Sequence, residues 1–139
     1  MTKTRNVRAA AIATVGLLAA AFGGAGRSAQ AAGELVGDEE AGAEIYAAQC
    51  RGCHTVSIAP TLRGVADRPI ASVADFGGYS DGLKARSAET WTAQNLDAFL
   101  AAPQAFAPGS RMVMAVADPQ ARADVIAYVR TLPPPRAAR

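Results

Sequence analysis

Two cysteines and the only histidine of the chain stand together, as Cys50-Arg51-Gly52-Cys53-His54. Thiols three residues apart on a helix lie about one turn from each other, so both can add to the two vinyl groups along one edge of a haem. The adjacent imidazole then falls beneath the iron. This spacing is typical of the c-type haem attachment motif.

Three other kinds of site also use paired cysteines. A zinc site needs further ligands, and the chain has no other Cys or His. A thioredoxin-like redox pair belongs in a βαβ unit, and no strand is predicted before Cys50. A disulfide is chemically allowed in an exported protein, but between Cys50 and Cys53 it would close a very short loop and stabilise little. The pattern therefore favours haem.

The residues around an iron can also be sought in the sequence. A ligating imidazole donates its second N–H to a carbonyl or carboxylate, and the carbonyl of Pro60, six residues after His54, is the predicted acceptor. A low-spin haem that transfers electrons needs a sixth ligand. Beyond the N-terminal region the chain offers Met112 and Met114, whose thioethers would raise the reduction potential. The residues alone leave the choice between them open.

The N-terminal region has the pattern of a signal peptide. Lys3, Arg5 and Arg8 precede an apolar run, and Ala29-Gln30-Ala31 places small residues where a signal peptidase reads them. We predict that residues 1–31 are cleaved and that residues 32–139 form one domain in the periplasm. An uncleaved anchor is the alternative, because residues 9–26 are apolar over a length at the lower edge of what spans a bilayer.

Cleavage changes the charge of the protein. Four of the fourteen basic residues lie in residues 1–31, which leaves ten basic against twelve acidic residues and a net charge of −2. The remaining chain has no basic stripe, so no nucleic-acid partner is expected. Its 108 residues are enough for one modest core, which a bound cofactor would strengthen.

Three helices are predicted to position the haem motif. The first runs from about Glu39 to Cys50 after the cap Asp38, the second begins after Thr92 and ends at Pro103, and the third begins after Asp118 and stops before residues 133–135. A short helical piece is predicted near residues 81–86. No segment alternates convincingly between apolar and polar residues, so residues 55–91 form a long loop that needs something to wrap.

The order of these segments resembles class I cytochrome c over nearly all of residues 32–139. Five segments carry the resemblance: Gly42 to His54 as the N-terminal helix with its haem motif, Pro60 to Gly64 as the turn under the proximal histidine, Phe76 to Asp81 with Trp91-Thr92 as the segments beside a propionate, Pro108 to Met112 as the axial methionine loop, and Arg122 to Tyr128 as the C-terminal helix.

The resemblance implies an all-α class I cytochrome c fold, with about three main helices and long loops wrapped around one covalent haem c. It implies that Met112, rather than Met114, is the axial ligand opposite His54. Gly42 would be the point where the terminal helices cross, against Tyr128.

Three further residues match positions that the family places near the haem propionates. Tyr79 and Trp91 are expected to donate hydrogen bonds to a propionate, and Arg68 is expected nearby. Two features depart from the mitochondrial type: Ala59 replaces the glycine usual before Pro60, and Lys84 is the only lysine after residue 31. The way in which the mitochondrial type docks its redox partners, through lysines, is therefore not expected of this chain.

The expected function is that of a periplasmic electron carrier, a monomer that shuttles one electron between redox partner proteins and is not an enzyme. One alternative is a tightly bound haem c subunit of a periplasmic dehydrogenase. Another is a haem enzyme or sensor with an open sixth site, which Met112 argues against.

Overall fold

A computed structural model describes residues 35–135 of the chain. The predicted signal peptide lies outside these residues. Among them the structure has six α-helices and one π-helical turn: α1 (Glu39–Ile45), the π-helical turn (Tyr46–Cys50), α2 (Arg51–His54), α3 (Asp81–Lys84), α4 (Ala93–Ala101), α5 (Pro103–Phe106) and α6 (Pro119–Thr131). Strand pairing within this range is limited to one isolated bridge, between Pro69 and Thr90. The predicted all-α class is confirmed.

The first predicted helix forms, but its winding and its C-terminal end differ from the prediction. Asp38 caps it as expected, since its carboxylate accepts hydrogen bonds from the N–H groups of Glu40 and Ala41. The prediction of one α-helix from Glu39 to Cys50 was wrong in two respects. The helix widens into a π-helical turn at Tyr46–Cys50, and it then continues as α2 to His54. Such turns are frequent at functional sites, and this one ends at Cys50, the first cysteine of the pair.

The second and third helices begin where predicted. Thr92 caps α4 through the N–H of Asn95, and Asp118 caps α6 through the N–H of Ala121. Pro103 does end the second helix, but it also begins α5, which the sequence did not predict. Proline suits the first turn of a helix because the N–H that it lacks has no partner there.

The terminal helices cross at two glycines. A Cβ on Gly42 would lie 2.6 Å from the carbonyl carbon of Asp124 and 2.9 Å from the Cβ of Tyr128, so only glycine fits. Gly37, for which no role was predicted, meets Ala123 and Ala127 of α6 in the same way. The predicted crossing at Gly42 is therefore present.

A buried carboxylate joins the two helices at this crossing. Asp124 is 8% exposed, and its Oδ1 accepts hydrogen bonds from the Asp38 N–H at 2.8 Å and from the Gln120 side chain at 2.7 Å. Placed at the start of α1, this carboxylate also faces the positive end of the helix dipole. Asp124 thus fixes where α1 begins along α6.

The middle of the chain contains more structure than a loop. Ser80 caps α3 by accepting a hydrogen bond from the Leu83 N–H, and the predicted helical piece at residues 81–86 is observed at Asp81–Lys84. Val65, Ile70, Leu83 and Trp91 from this segment join residues of α4 and α6 in the core. No helix within residues 35–135 is long and apolar enough to cross a membrane.

Candidate functional site

One cavity of about 410 Å³ lies between the helices and the middle segment. Its walls are mostly apolar and come from residues between Gln49 and Val129, with Leu62, Val65, Leu83, Leu96, Phe99, Leu100, Val125 and Val129 among them. The long middle segment therefore supplies part of the wall of this space as well as part of the core. That space lies within the range of about 300–1,000 Å³ that is typical of small-molecule and cofactor pockets.

The cysteine–histidine motif opens into this cavity. Cys50, Cys53 and His54 all line it. Cys50 is half-buried, Cys53 is exposed, and both thiols are free rather than joined in a disulfide. Burial raises the pKa of the Cys50 thiol. Within residues 35–135, no group of three or more His, Cys, Asp and Glu side chains is placed to hold a metal ion.

A short loop orients the imidazole of His54. Its Nδ1 lies 2.6 Å from the carbonyl oxygen of Pro60, which is the predicted contact. The N–H of Ala59 donates to the Cys53 carbonyl at 3.2 Å and closes the loop, while the following proline keeps Ala59 extended. Burial lowers the pKa of His54, and the hydrogen bond to Pro60 opposes this shift. The ring is thus held with Nδ1 engaged and Nε2 available as a ligand.

Both candidate methionines reach the cavity from another segment. Met112 and Met114 line it together with Val113. Met112 is half-buried, whereas Met114 is 42% exposed and Val113 is 91% exposed. The greater burial of Met112 is the difference expected of a side chain that reaches inward. The methionine preferred at the sequence level is therefore also the more enclosed one.

Two residues for which the sequence predicted no role hold the methionine loop, residues 107–116, in place. Ser110 is 6% exposed; its hydroxyl accepts from the Met112 N–H at 3.3 Å, and its carbonyl accepts from the Gln104 side chain. Arg122 of α6 donates to the carbonyls of Val116 and Ala117 and pairs with Asp97 at 2.6 Å. Nothing in the sequence indicates that Arg122 would hold the loop, because an arginine is common on the polar face of an amphipathic helix.

Three polar residues also line the cavity. Tyr79 accepts a hydrogen bond from the Val73 N–H at 3.2 Å, which leaves its O–H free to donate, and burial raises its pKa. Trp91 is 7% exposed and carries an indole N–H as a hydrogen-bond donor. Arg68 is the third residue of this set.

Arg68 binds the turn that carries Pro60. Its guanidinium donates to the carbonyls of Arg63 and Thr61, each at 2.9 Å. Burial lowers the pKa of Arg68, and its Nε is buried without a hydrogen-bond partner within residues 35–135. A buried donor without a partner is costly, so it points to an acceptor that the protein chain does not itself supply.

These observations test whether the residues present fit a haem c. The thiols lie at the cavity, the imidazole and a thioether reach it from separate segments, and its walls are apolar. The unpartnered Nε of Arg68 and the donor groups of Tyr79 and Trp91 match a ligand that carries carboxylates, as haem does in its propionates. The residues fit the group.

The comparisons with known proteins give the same result. The family model for cytochrome c matches residues 39–133. A cytochrome c-type cyt cy of Rhodobacter capsulatus is 39% identical over 71% of this chain, and the chain spans about half (51%) of that protein's length. Cytochrome c-550 of Ancylobacter novellus is 37% identical over a region that covers 60% of this chain and 85% of the length of that protein.

Solved structures agree in fold. Cytochrome cH from Methylobacterium extorquens superposes with a TM-score of 0.59 at 37% identity, covering 68% of this chain and 99% of its own. Cytochrome c2 from Rhodobacter sphaeroides gives a TM-score of 0.63 at 25% identity, covering 72% and 99%. The cofactor of such proteins is one covalently attached haem c, and Cys50 and Cys53 fit its attachment motif. The chain belongs to the cytochrome c family of haem-c electron carriers.

Proposed function

We propose that the protein is a periplasmic electron carrier whose haem c is attached through Cys50 and Cys53 and ligated by His54 and Met112. The observation that carries the proposal is that these four residues, from two distant segments, line the same apolar cavity. Bound there, haem c supplies an iron that alternates between the ferric and ferrous states. Transfer of electrons, rather than turnover of a substrate, is the activity proposed.

The chain favours the reduced state in two ways. The apolar walls disfavour the form with the greater charge, which is the oxidised one. The thioether of Met112 stabilises the ferrous state relative to a harder ligand. His54 remains in one orientation because Pro60 holds its Nδ1. A rigid enclosure of this kind keeps the two oxidation states similar in structure.

The polar residues of the cavity are assigned to the propionates. Tyr79 and Trp91 offer an O–H and an N–H as donors at the cavity, and Arg68 offers its buried Nε. Arg68 also links this region to the turn of Pro60, because it donates to Thr61 and Arg63. Loss of Arg68 therefore affects both the propionates and the proximal side.

Redox partners are proposed to dock at the mouth of the cavity, where three large apolar side chains that line it are exposed: Ile58 (70%), Val113 (91%) and Met114 (42%). Residues 49–63 and 107–116, which carry these side chains, contain three arginines and no Asp or Glu. The fitting partner is a redox protein with an apolar patch flanked by carboxylates. The site is thus apolar and arginine-based rather than lysine-based.

Export is part of the proposal. Covalent haem attachment by this motif is proposed to follow export, with residues 1–31 as the signal peptide and Ala32 as the first residue of the mature monomer. The basic residues at the start, the apolar run and the small residues before Ala32 support it. The intact mass of the protein from the periplasmic fraction tests it, and a membrane-bound product that retains residues 1–31 would overturn it.

The ligation is tested with a matched pair of variants, Met112→Ala and Met114→Ala. Met112→Ala should abolish the ferric sulfur-to-iron charge-transfer absorption, lower the reduction potential and allow rapid carbon monoxide binding to the ferrous protein. Met114→Ala should leave all three unchanged, since this side chain lies at the rim. Rapid carbon monoxide binding by the unmutated protein would contradict the carrier. Loss of the absorption in Met114→Ala alone would assign the other methionine.

A further inference from the structure

The segment 80–86, which contains α3, packs against the start of the methionine loop. Two contacts join them directly, and a third reaches Phe106, the residue before the loop. The Ser80 Cβ lies 3.8 Å from where a Cβ on Gly109 would stand, Gly82 abuts Pro108, and Arg86 covers Phe106. These contacts lie outside the set of residues already assigned to haem attachment, ligation or the propionates.

The contact at Gly82 has no spare room. A Cβ added to Gly82 would lie 2.5 Å from the carbonyl oxygen of Pro108, 2.7 Å from its nitrogen and 2.9 Å from the carbonyl carbon of Ala107. All three are backbone atoms, so no side-chain rotation can relieve the clash. Either α3 or the loop must move. Gly82 thus sets how closely the backbone of residues 107–108 approaches α3.

The contact at Arg86 fixes the other end of the segment. The Arg86 guanidinium carbon lies 3.8 Å from the centroid of the Phe106 ring, and its terminal nitrogen pairs with Glu89 at 2.9 Å. Phe106 in turn stacks on Trp91, with ring centroids 5.9 Å apart and planes 20° apart. The cation therefore presses the last residue of α5 onto the wall of the cavity.

The far side of the loop is already anchored by its own partners. The N–H of Val116 donates to the Leu100 carbonyl at 2.8 Å, and Arg122 holds the carbonyls of Val116 and Ala117. The near side, residues 107–109, is held by the packing just described and by two backbone hydrogen bonds, from the Ala107 N–H to the Pro103 carbonyl and from the Ser110 N–H to the Ala107 carbonyl, each at 3.0 Å. It turns at Gly109, whose φ is +76°. Displacement of this side of the loop would break the packing against α3.

We propose that segment 80–86 is a clamp that holds the methionine loop closed, with Gly82 and Arg86 as positioning residues for Met112. The inference rests on the proposed ligation by Met112. The clamp touches neither the iron ligands nor the cysteines. It acts by making displacement of the loop unfavourable, and thereby limits access of small external ligands to the iron.

Imidazole binding to the ferric protein measures loop opening, because imidazole enters only when Met112 leaves. Gly82→Ala should bind imidazole about tenfold or more tightly than the wild type, as expected when one methyl group is forced into a packed contact. It should also weaken the sulfur-to-iron absorption. The matched control is Gly77→Ala, because a Cβ at Gly77 meets nothing within 4 Å. Unchanged imidazole affinity in Gly82→Ala would overturn the clamp.

A second pair of variants tests the clamp even if the Gly82→Ala protein fails to fold. Arg86→Met keeps the length of the side chain and removes the cation over Phe106, and we expect imidazole to bind about threefold or more tightly. Lys84→Met is its control, since Lys84 is exposed and pairs only with Asp81 at 3.5 Å among the residues that the structure describes. Equal affinities in Arg86→Met and Lys84→Met would contradict the role of Arg86.

The Gly42→Ala variant distinguishes loss of the clamp from a general loss of stability, because it perturbs the helix crossing and not the clamp. That variant should melt at a lower temperature with unchanged imidazole affinity. If it binds imidazole as tightly as Gly82→Ala, the effect is general destabilisation and the clamp is wrong. Failure of the underlying ligation has a different signature: the sulfur-to-iron absorption would be absent from the wild type, or would survive in Met112→Ala.

Discussion

Replacing Gly42 by alanine tests the packing that joins the two ends of the domain. The added Cβ would collide with the Asp124 carbonyl oxygen and stand 2.9 Å from the Cβ of Tyr128. Both are parts of α6 that cannot rotate away. The helices must therefore separate or slide. This movement also disturbs the Tyr46–Tyr128 ring pair, whose centroids are 5.2 Å apart, and the 2.8 Å hydrogen bond from Asp38 to Asp124.

The expected cost can be assembled from these contacts. Overpacking a core contact costs about 1–3 kcal/mol. Weakening the aromatic pair and the buried hydrogen bond adds about 1 kcal/mol each. Alanine returns about 1 kcal/mol, because it is the better helix former. The free energy of unfolding should therefore fall by about 2–4 kcal/mol, which lowers the Tm of a domain of this size by about 10 °C or more.

Thermal melts followed by far-ultraviolet circular dichroism on the haem-loaded ferric protein provide the measurement. Gly52→Ala is the control, since Gly52 is also helical but a Cβ there meets nothing within 4 Å. It should raise the stability slightly, by about 0.5–1 kcal/mol. A Gly42→Ala protein that is as stable as Gly52→Ala would refute the argument from close helix approach.

Two further predictions concern the cofactor and pH. Cys50→Ala combined with Cys53→Ala should give a largely unfolded chain, because residues 55–91 wrap a cavity that is then empty; native-like circular dichroism with a cooperative melt would contradict this. Burial raises the pKa of Tyr79, so its contribution to stability is complete below the unfolded pKa of about 10 and is lost as pH rises through the raised folded value. The Tm should fall above about pH 10, and it should fall less steeply in Tyr79→Phe. An equal dependence of Tm on pH in the two proteins would show that Tyr79 does not contribute to the loss of stability.

The sequence was sufficient where the signal is local. Asp38, Thr92 and Asp118 cap helices because a side-chain oxygen three residues before an unpaired N–H acts within one turn, whatever the tertiary context. The cysteine–histidine motif is equally local, and together with the lack of any other Cys or His in the chain it favours a haem. Gly42 was predicted at the helix crossing from the resemblance, and the close approach is found there.

The tertiary structure decided what depends on residues far apart in the chain. In the sequence, Asp124 is an ordinary acidic residue of an amphipathic helix. Only the crossing of α1 and α6 shows that it accepts a hydrogen bond from the Asp38 N–H. Gly82 carries no signal of its own, because its role depends on how closely Pro108 approaches. The greater burial of Met112 than of Met114 likewise comes from the course of the loop around the cavity. Local patterns fix where helices begin and which chemistry is available, whereas packing across the chain fixes which side chains reach the cavity.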